Sequence, residues 1–247
     1  MKKSLFISLS FLLSTGVTYS TVQLKKQLPV KKFPIKIMRD NVIFSDDFES
    51  YAEGDDFASP GGWTMSKMGQ GSDGYVTDDL AHSGTKSVYL AAPEKNSRVD
   101  CKWYGQDIQY TQLNHIEIWV FPEQNDVQLT ALKAAYSAGG QWGGGGAFGA
   151  IQFWPNGKLG YADGINGNVM LDKTWTAGRW YHIKMVLDHS TKRWEFFMDD
   201  ELIATNLGFM NSYIYEPNRI TFSASGGSAY WDDFTYKSIP VIEPRLP

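Results

Sequence analysis

Residues 178–204, GRWYHIKMVLDHSTKRWEFFMDDELIA, decide the fold. Tyr181, Ile183, Met185 and Leu187 alternate there with Trp180, His182 and Lys184, and Trp194 opposes Arg193, Glu195 and Phe197. A period of two sends successive side chains to opposite faces, so each run reads as a half-buried strand. The polar segment 188–192 joins the two runs, and Asp199-Asp200 turns the chain into a third at 202–205.

The same pattern extends outward. Ile116, Ile118 and Val120 alternate with His115, Glu117, Trp119 and Phe121, and Val99, Cys101 and Trp103 with Arg98, Asp100 and Lys102. Asn156-Gly157, between apolar runs at 151–154 and 159–161, fits a type I′ turn. From 42 to 236 the chain is a series of short β-branched and aromatic runs separated by Gly, Asn and Asp. No segment holds a 3.6-residue period for three turns, and the best helix candidate is the weakly periodic stretch 127–136. The expectation is an all-β, two-sheet antiparallel jelly-roll sandwich over residues 41–238. Residues 239–247, with Pro240, Pro244 and Pro247, are expected to form an extended tail.

Composition agrees with a packed core. The 247 residues include 9 Trp, 13 Tyr and 14 Phe, too many aromatics for a disordered chain. Lys2 and Lys3, an apolar run over 5–17 and small residues before a cut after Ser20 predict a secretory signal peptide and an exported protein. Without residues 1–20 the chain has 21 basic and 27 acidic residues, a formal charge of −6. That balance argues against nucleic acid as a partner, and the apolar run is too short for a membrane span. A single cysteine, Cys101, excludes an intrachain disulfide, and its alternation with Val99 and Trp103 reads as a small buried hydrophobe. Residues 21–40 carry five lysines, Arg39 and two prolines with no apolar period, which predicts a basic extended linker.

Several blocks together resemble laminin-G-like, concanavalin A-like jelly-roll domains of secreted bacterial proteins. They are FSDDFESYAEGD at 44–55 with Gly61-Gly62-Trp63, DDLAHSGTKSVYL at 78–90, the 178–204 block and AYWDDFTY at 229–236. The resemblance implies a sandwich from about 41 to 236, and a structural calcium near the joined chain ends. It leaves function open among lectins, carbohydrate-binding modules, glycoside hydrolases and polysaccharide lyases. The E-x-D-x-x-E spacing of the glycosidase branch is absent. So are the Q-x-H and Y-F-K-x-G patterns of the alginate-lyase branch, which favours a binding module.

Candidate chemistry falls in three places. Asp46, Asp47 and Glu49 near the first strand and Asp232 and Asp233 on the last would repel unless a hard cation sits between them, so these five are the expected Ca2+ ligands. His115, Glu117, Trp119, Trp180, His182, Lys184, Arg193 and Glu195 share the polar parity. They would form a groove in which indoles stack on pyranose faces and charged groups bond hydroxyls or carboxylates. Were that groove catalytic, Glu117 and Glu195 would be the acid and base of a glycosidase, and His115 or His182 the base of a lyase. The Gly-rich run 138–149 offers Trp142 as a stacking residue on a loop, with Trp154 and Tyr161 as weaker candidates. His82 and His189 lie in turns and lack metal-ligand spacing. The reading is therefore a secreted, lectin-like module that binds a polysaccharide on a sheet face. The alternatives are a lyase or glycosidase on that face, or an adhesion domain with a protein ligand.

Overall fold

The computed structural model describes residues 41–57, 62–94, 96–105, 113–136, 146–210 and 217–239. The predicted signal peptide, the basic linker, Trp142 and residues 240–247 of the predicted tail lie outside them, while Ile239, expected to open that tail, ends the last strand. Fifteen strands follow in chain order: β1 (Asn41–Asp46), β2 (Trp63–Met68), β3 (Asp73–Thr77), β4 (Ser87–Ala92), β5 (Arg98–Tyr104), β6 (Leu113–Pro122), β7 (Gln128–Ala135), β8 (Ala147–Trp154), β9 (Lys158–Asp163), β10 (Gly167–Thr174), β11 (Tyr181–Asp188), β12 (Arg193–Met198), β13 (Glu201–Gly208), β14 (Arg219–Ser225) and β15 (Gly227–Ile239). The first sheet runs β13-β12-β11-β6-β15-β4-β3, with β1 also on β15; the second runs β10-β9-β8-β7-β14-β5-β2. Every pairing is antiparallel, and there is no helix among the described residues. The fold is a two-sheet jelly-roll sandwich, as the alternation predicted.

The thirteen residues of β15 join the chain ends. Residues 227–231 pair with β4 and residues 234–238 with β1, so the first and last strands are neighbours. Between the sheets, Trp231 stacks on Phe222 with centroids 5.2 Å apart, and Trp63 packs among Phe48, Phe57, Phe222 and Phe234. Each such side chain contributes about 1.5–3 kcal/mol by leaving water. Cys101 lies in this core, and burial pushes its thiol well above the ordinary range.

Two local expectations change and a third holds. Residues 128–135 form β7 and not a helix: the register shifts between Thr130 and Leu132, so Ala131 and Leu132 are both buried and the period of two is broken. The hairpin at Asn156-Gly157 has positive φ at both residues, as a type I′ turn requires, but Pro155 lengthens the loop to three residues. Asp199 (φ 51°) and Asp200 (φ 62°) make a two-residue turn between the paired Met198 and Glu201. Of the weaker stacking candidates, Tyr161 points inward against Trp194, while Trp154 lies on the outer face of the second sheet.

Candidate functional site

The outer face of the first sheet carries most of the residues singled out from sequence. Register sets them in rows across the strands. Lys184 lies opposite Glu117 on one side and Phe197 on the other, and His182 lies opposite Trp119. Asn114, Ile116, Ile118 and Val120 face the core, which leaves His115, Glu117 and Trp119 facing outward.

One row is aromatic throughout. Tyr75 of β3, Tyr89 of β4, Tyr230 of β15 and Phe121 of β6 are directly paired across adjacent strands, and Trp180, just before β11, continues the line. Successive centroid separations are 5.5, 4.8, 6.1 and 5.5 Å. Burial, with the charge of Glu123 nearby, raises the Tyr230 hydroxyl to about 12, so all three tyrosines remain neutral donors and acceptors. Sequence reading missed Tyr75, Tyr89 and Tyr230, although Tyr89 between the buried Val88 and Leu90 has the outward parity.

The next rows are polar. Glu117 accepts from Lys237 Nζ at 2.6 Å and meets His182 Nε2 at 3.3 Å. The hydrogen bond from His182, reinforced by Lys237, holds the Glu117 carboxyl down at about 2 despite its burial. Lys184 reaches Asp200 at 3.2 Å and lies over the Phe197 ring. Lys237 was not singled out from sequence, because its pairing with β6 depends on register.

Above these rows sits the loop before β4. His82 stacks on Trp119 at 3.7 Å, and His182 lies on the same indole at 4.9 Å. His82 Nδ1 is 2.6 Å from Asp233 Oδ2, and Ser83 Oγ donates to Asp233 Oδ1 at 2.7 Å. The backbone N–H groups of His82 and Ser83 donate to Asp232. A bulge between Asp232 and Thr235, with Asp233 at φ 49°, aims both acids at this loop. Burial raises the Asp232 carboxyl to about 6, with the backbone N–H of Ser83 opposing and the Asp233 charge adding to it.

The five expected calcium ligands do not converge. Asp46 accepts from Phe48 N, Tyr51 Oη and Trp63 Nε1, at 2.9, 2.7 and 2.9 Å, and Asp47 from Glu49 N. Glu49 is taken by Thr85 and Lys86, whose backbone N–H groups lower its pKa. Asp46, Asp47 and Asp233 border one cleft of about 420 Å³ between β1 and β15. Among the described residues, no three His, Cys, Asp or Glu side chains are grouped to hold an ion.

The pair proposed as acid and base is also separated. Glu195 lies opposite Val186 and Glu117 opposite Lys184, which puts their backbones two strands and two residues apart, about 12 Å. Their carboxylates have different partners, Glu195 bonding Thr205 on β13 and Glu117 bonding Lys237 on β15 and His182 on β11. A hydrolytic pair stands closer, at roughly 5–9.5 Å, and a carboxyl held at about 2 has no proton to give near neutrality. Arg193 bonds Asn206, outside the cluster, and His115 lies one row below Glu117, beside Lys237 and Val186.

No family model matches the sequence, and no curated protein matches it in sequence. The fold is shared more widely. It is similar to "Cellulose induced protein, Cip1" at TM-score 0.55 and 20% identity, covering 80% of this chain and 98% of that one. It is also similar to the carbohydrate esterase vb_24B_21 from the Shiga toxin-encoding bacteriophage phi24B, at TM-score 0.54 and 14% identity, covering 81% of this chain and 99% of that one. A sialidase matches at TM-score 0.54 and 13% identity, but the match covers 80% of this chain and only 19% of the sialidase. These likenesses define the class, an antiparallel β-sandwich of the jelly-roll kind.

Proposed function

We propose that this chain is an exported, lectin-like jelly-roll module that binds a polysaccharide across the outer face of its first sheet. The observation that carries this reading is the row Tyr75–Tyr89–Tyr230–Phe121–Trp180, one ring contributed from each of five neighbouring positions across the sheet at 4.8–6.1 Å intervals. Large aromatics on an outer sheet face mark a binding surface, and aromatic faces suit the apolar faces of pyranoses. His182, Glu117 and Lys184 supply polar contacts one or two rows below, with Trp119 stacked between His82 and His182 beside them. His115, Arg193 and Glu195 belong to the proposal as flanking contacts, and Trp142, outside the described residues, as a stacking residue. The similarity in fold to a carbohydrate esterase supports this reading, as does the laminin-G-like resemblance in sequence.

The test is affinity electrophoresis in gels containing neutral and acidic polysaccharides, with product assays run in parallel. Trp180→Ala and Tyr89→Ala should each weaken retardation about fivefold, the scale of one lost aromatic contact. Retardation unchanged in both variants would sink the reading. Release of reducing ends or unsaturated uronates would move it to the enzymatic alternative. Calcium is tested by melting in calcium and in chelator: Asp46, Asp47 and Asp233 border one cleft, and an unchanged midpoint would count against an ion there.

A further inference from the structure

The outer face of the second sheet, on the far side of the sandwich, is built differently. Thr221 of β14 lies opposite Lys102 of β5 and Lys133 of β7. One row along, Ser223 lies opposite Asp100 and Thr130, Thr130 opposite Gln152 of β8, and Gln152 opposite Gly160 of β9. The floor is small and buried: Ala150, Ala162, Thr221 and Ser223 are each at most 5% exposed.

Longer side chains stand around this floor, and among the described residues their charges do not balance. On β5, β14 and β7 they bring Arg98, Lys102, Lys133 and Arg219 against one carboxylate, Asp100. Asp100 is bonded to Arg98 and sits 3.3 Å from Lys102. Neither Lys133 nor Arg219 forms a salt bridge among the described residues, and Asp100, held by Arg98 and Lys102, acts on Lys133 more weakly than Arg219 and Arg98 do. Burial, then the charges of Arg219 and Arg98, depress the Lys133 ammonium. A half-buried cation in a positive field is unfavourable until an anion joins it.

Two neutral polar atoms on this face are equally unspent: Gln152 lies in the Ser223 row, and Trp154, opposite Lys158, lies one row farther along. Gln152 Oε1 and Trp154 Nε1 are buried without a hydrogen-bond partner. The Trp154 indole lies across the floor, so close to Gly160 that a Cβ there would stand 2.4 Å from Nε1. Buried polar atoms are nearly always partnered, and these exceptions require an explanation. One acceptor and one donor suit hydroxyl groups, while Lys133 and Arg219 suit a carboxylate.

We infer that this face is a second binding site, taking a uronic acid residue of an acidic saccharide. Its carboxylate lies between Lys133 and Arg219, and its hydroxyls bond Gln152 Oε1 and Trp154 Nε1. The saccharide half of the assignment rests on the carbohydrate reading above; the anionic half rests on the unbalanced charge alone.

Titration calorimetry on the full chain at pH 7 tests both halves, with three probes: oligogalacturonate, its methyl ester and polyglutamate. Oligogalacturonate alone should bind, and Lys133→Gln and Arg219→Gln should each weaken it about tenfold. Lys133→Gln should melt no lower than the parent, since it removes an unpaired charge, and a loss of binding then cannot be a loss of fold. Leu202→Ala, an exposed position on β13 outside both sites, should leave oligogalacturonate binding unchanged. Equal binding of the methyl ester overturns the anionic half, and equal binding of polyglutamate overturns the saccharide half. If Trp180→Ala abolishes oligogalacturonate binding and Lys133→Gln does not, the second site falls while the first-sheet reading stands. If none of the three probes binds, the second site falls.

Discussion

His82 lies flat on Trp119, ring centroids 3.7 Å apart and planes within 15°, and the loop that carries it is tied to the last strand through Asp232 and Asp233. His82→Ala removes the stack and the contact to Asp233 together. The expected loss is about 2 kcal/mol, one aromatic pair plus one charge-assisted hydrogen bond, read from urea denaturation midpoints. A loss no larger than that of an exposed alanine substitution would show that the loop is not held by this contact.

Trp119 is consequently less available than its parity suggested, having an imidazole on either side. Trp119→Ala should lower stability by about 3 kcal/mol and weaken glycan retardation in the same variant, whereas Trp180→Ala should weaken retardation with little change in stability. If the two variants behave alike in both assays, the distinction between a positioning indole and a contacting one is wrong.

Most of the sheet was legible because its strands keep a period of two. Ile116, Ile118 and Val120 are buried, as are Tyr181, Ile183, Met185 and Leu187, and their partners in between face out. Legibility failed where register shifts. At Ala131-Leu132 the bulge places buried residues at 129, 132 and 135 with the 131 and 134 positions between them, which imitates a helical face. At Asp232-Asp233 the bulge aims two acids at a loop 150 residues away in sequence, which no local pattern reveals. The acids were recognised as a group, and the N–H and O–H groups that they accept from were not.

Glu117 is held between Lys237 and His182 with its side chain 16% exposed. Glu117→Gln keeps the shape and removes the charge, leaving Lys237 without its nearest anion. The variant should be less stable by about 1–3 kcal/mol at pH 7. The difference should shrink as pH falls from about 4.5 toward 2, because the depressed native pKa stabilises only where the unfolded carboxyl has ionised. Denaturation midpoints at pH 7 and pH 3 measure this, and a pH-independent difference would contradict it.

Gly164 marks a close approach that only hydrogen can occupy. A Cβ there would stand 1.9 Å from the Phe209 carbonyl oxygen, a backbone atom that cannot step aside cheaply. Gly167, three residues on, has φ +70° and open space around it. Gly164→Ala should cost about 3 kcal/mol or more by overpacking, and Gly167→Ala about 1–2 kcal/mol from φ alone. Equal midpoints for the two variants would show that the backbone contact yields.

His189 is buried between Phe148 and Phe209, with Nε2 2.8 Å from Asn114 Oδ1. Burial lowers its pKa to about 4 from 6.5, against the opposing charge of Asp188. Above pH 6.5 neither the folded nor the unfolded state is protonated there, and the contribution is complete. As pH falls toward 4 the unfolded state gains the proton first and stability drops, by up to roughly 3 kcal/mol. Asp232 acts in the opposite sense: its native pKa of about 6 exceeds the ordinary 3.8, so acidification from pH 7 to pH 4 stabilises the fold by a similar amount. In the parent chain the two dependences oppose each other over pH 4–6. His189→Gln removes one of them, and its urea midpoint should rise relative to the parent as pH is lowered from 7 to 4.5. Parallel midpoint curves for parent and variant would mean that His189 is protonated in the folded protein, and that its contact with Asn114 is made by an imidazolium.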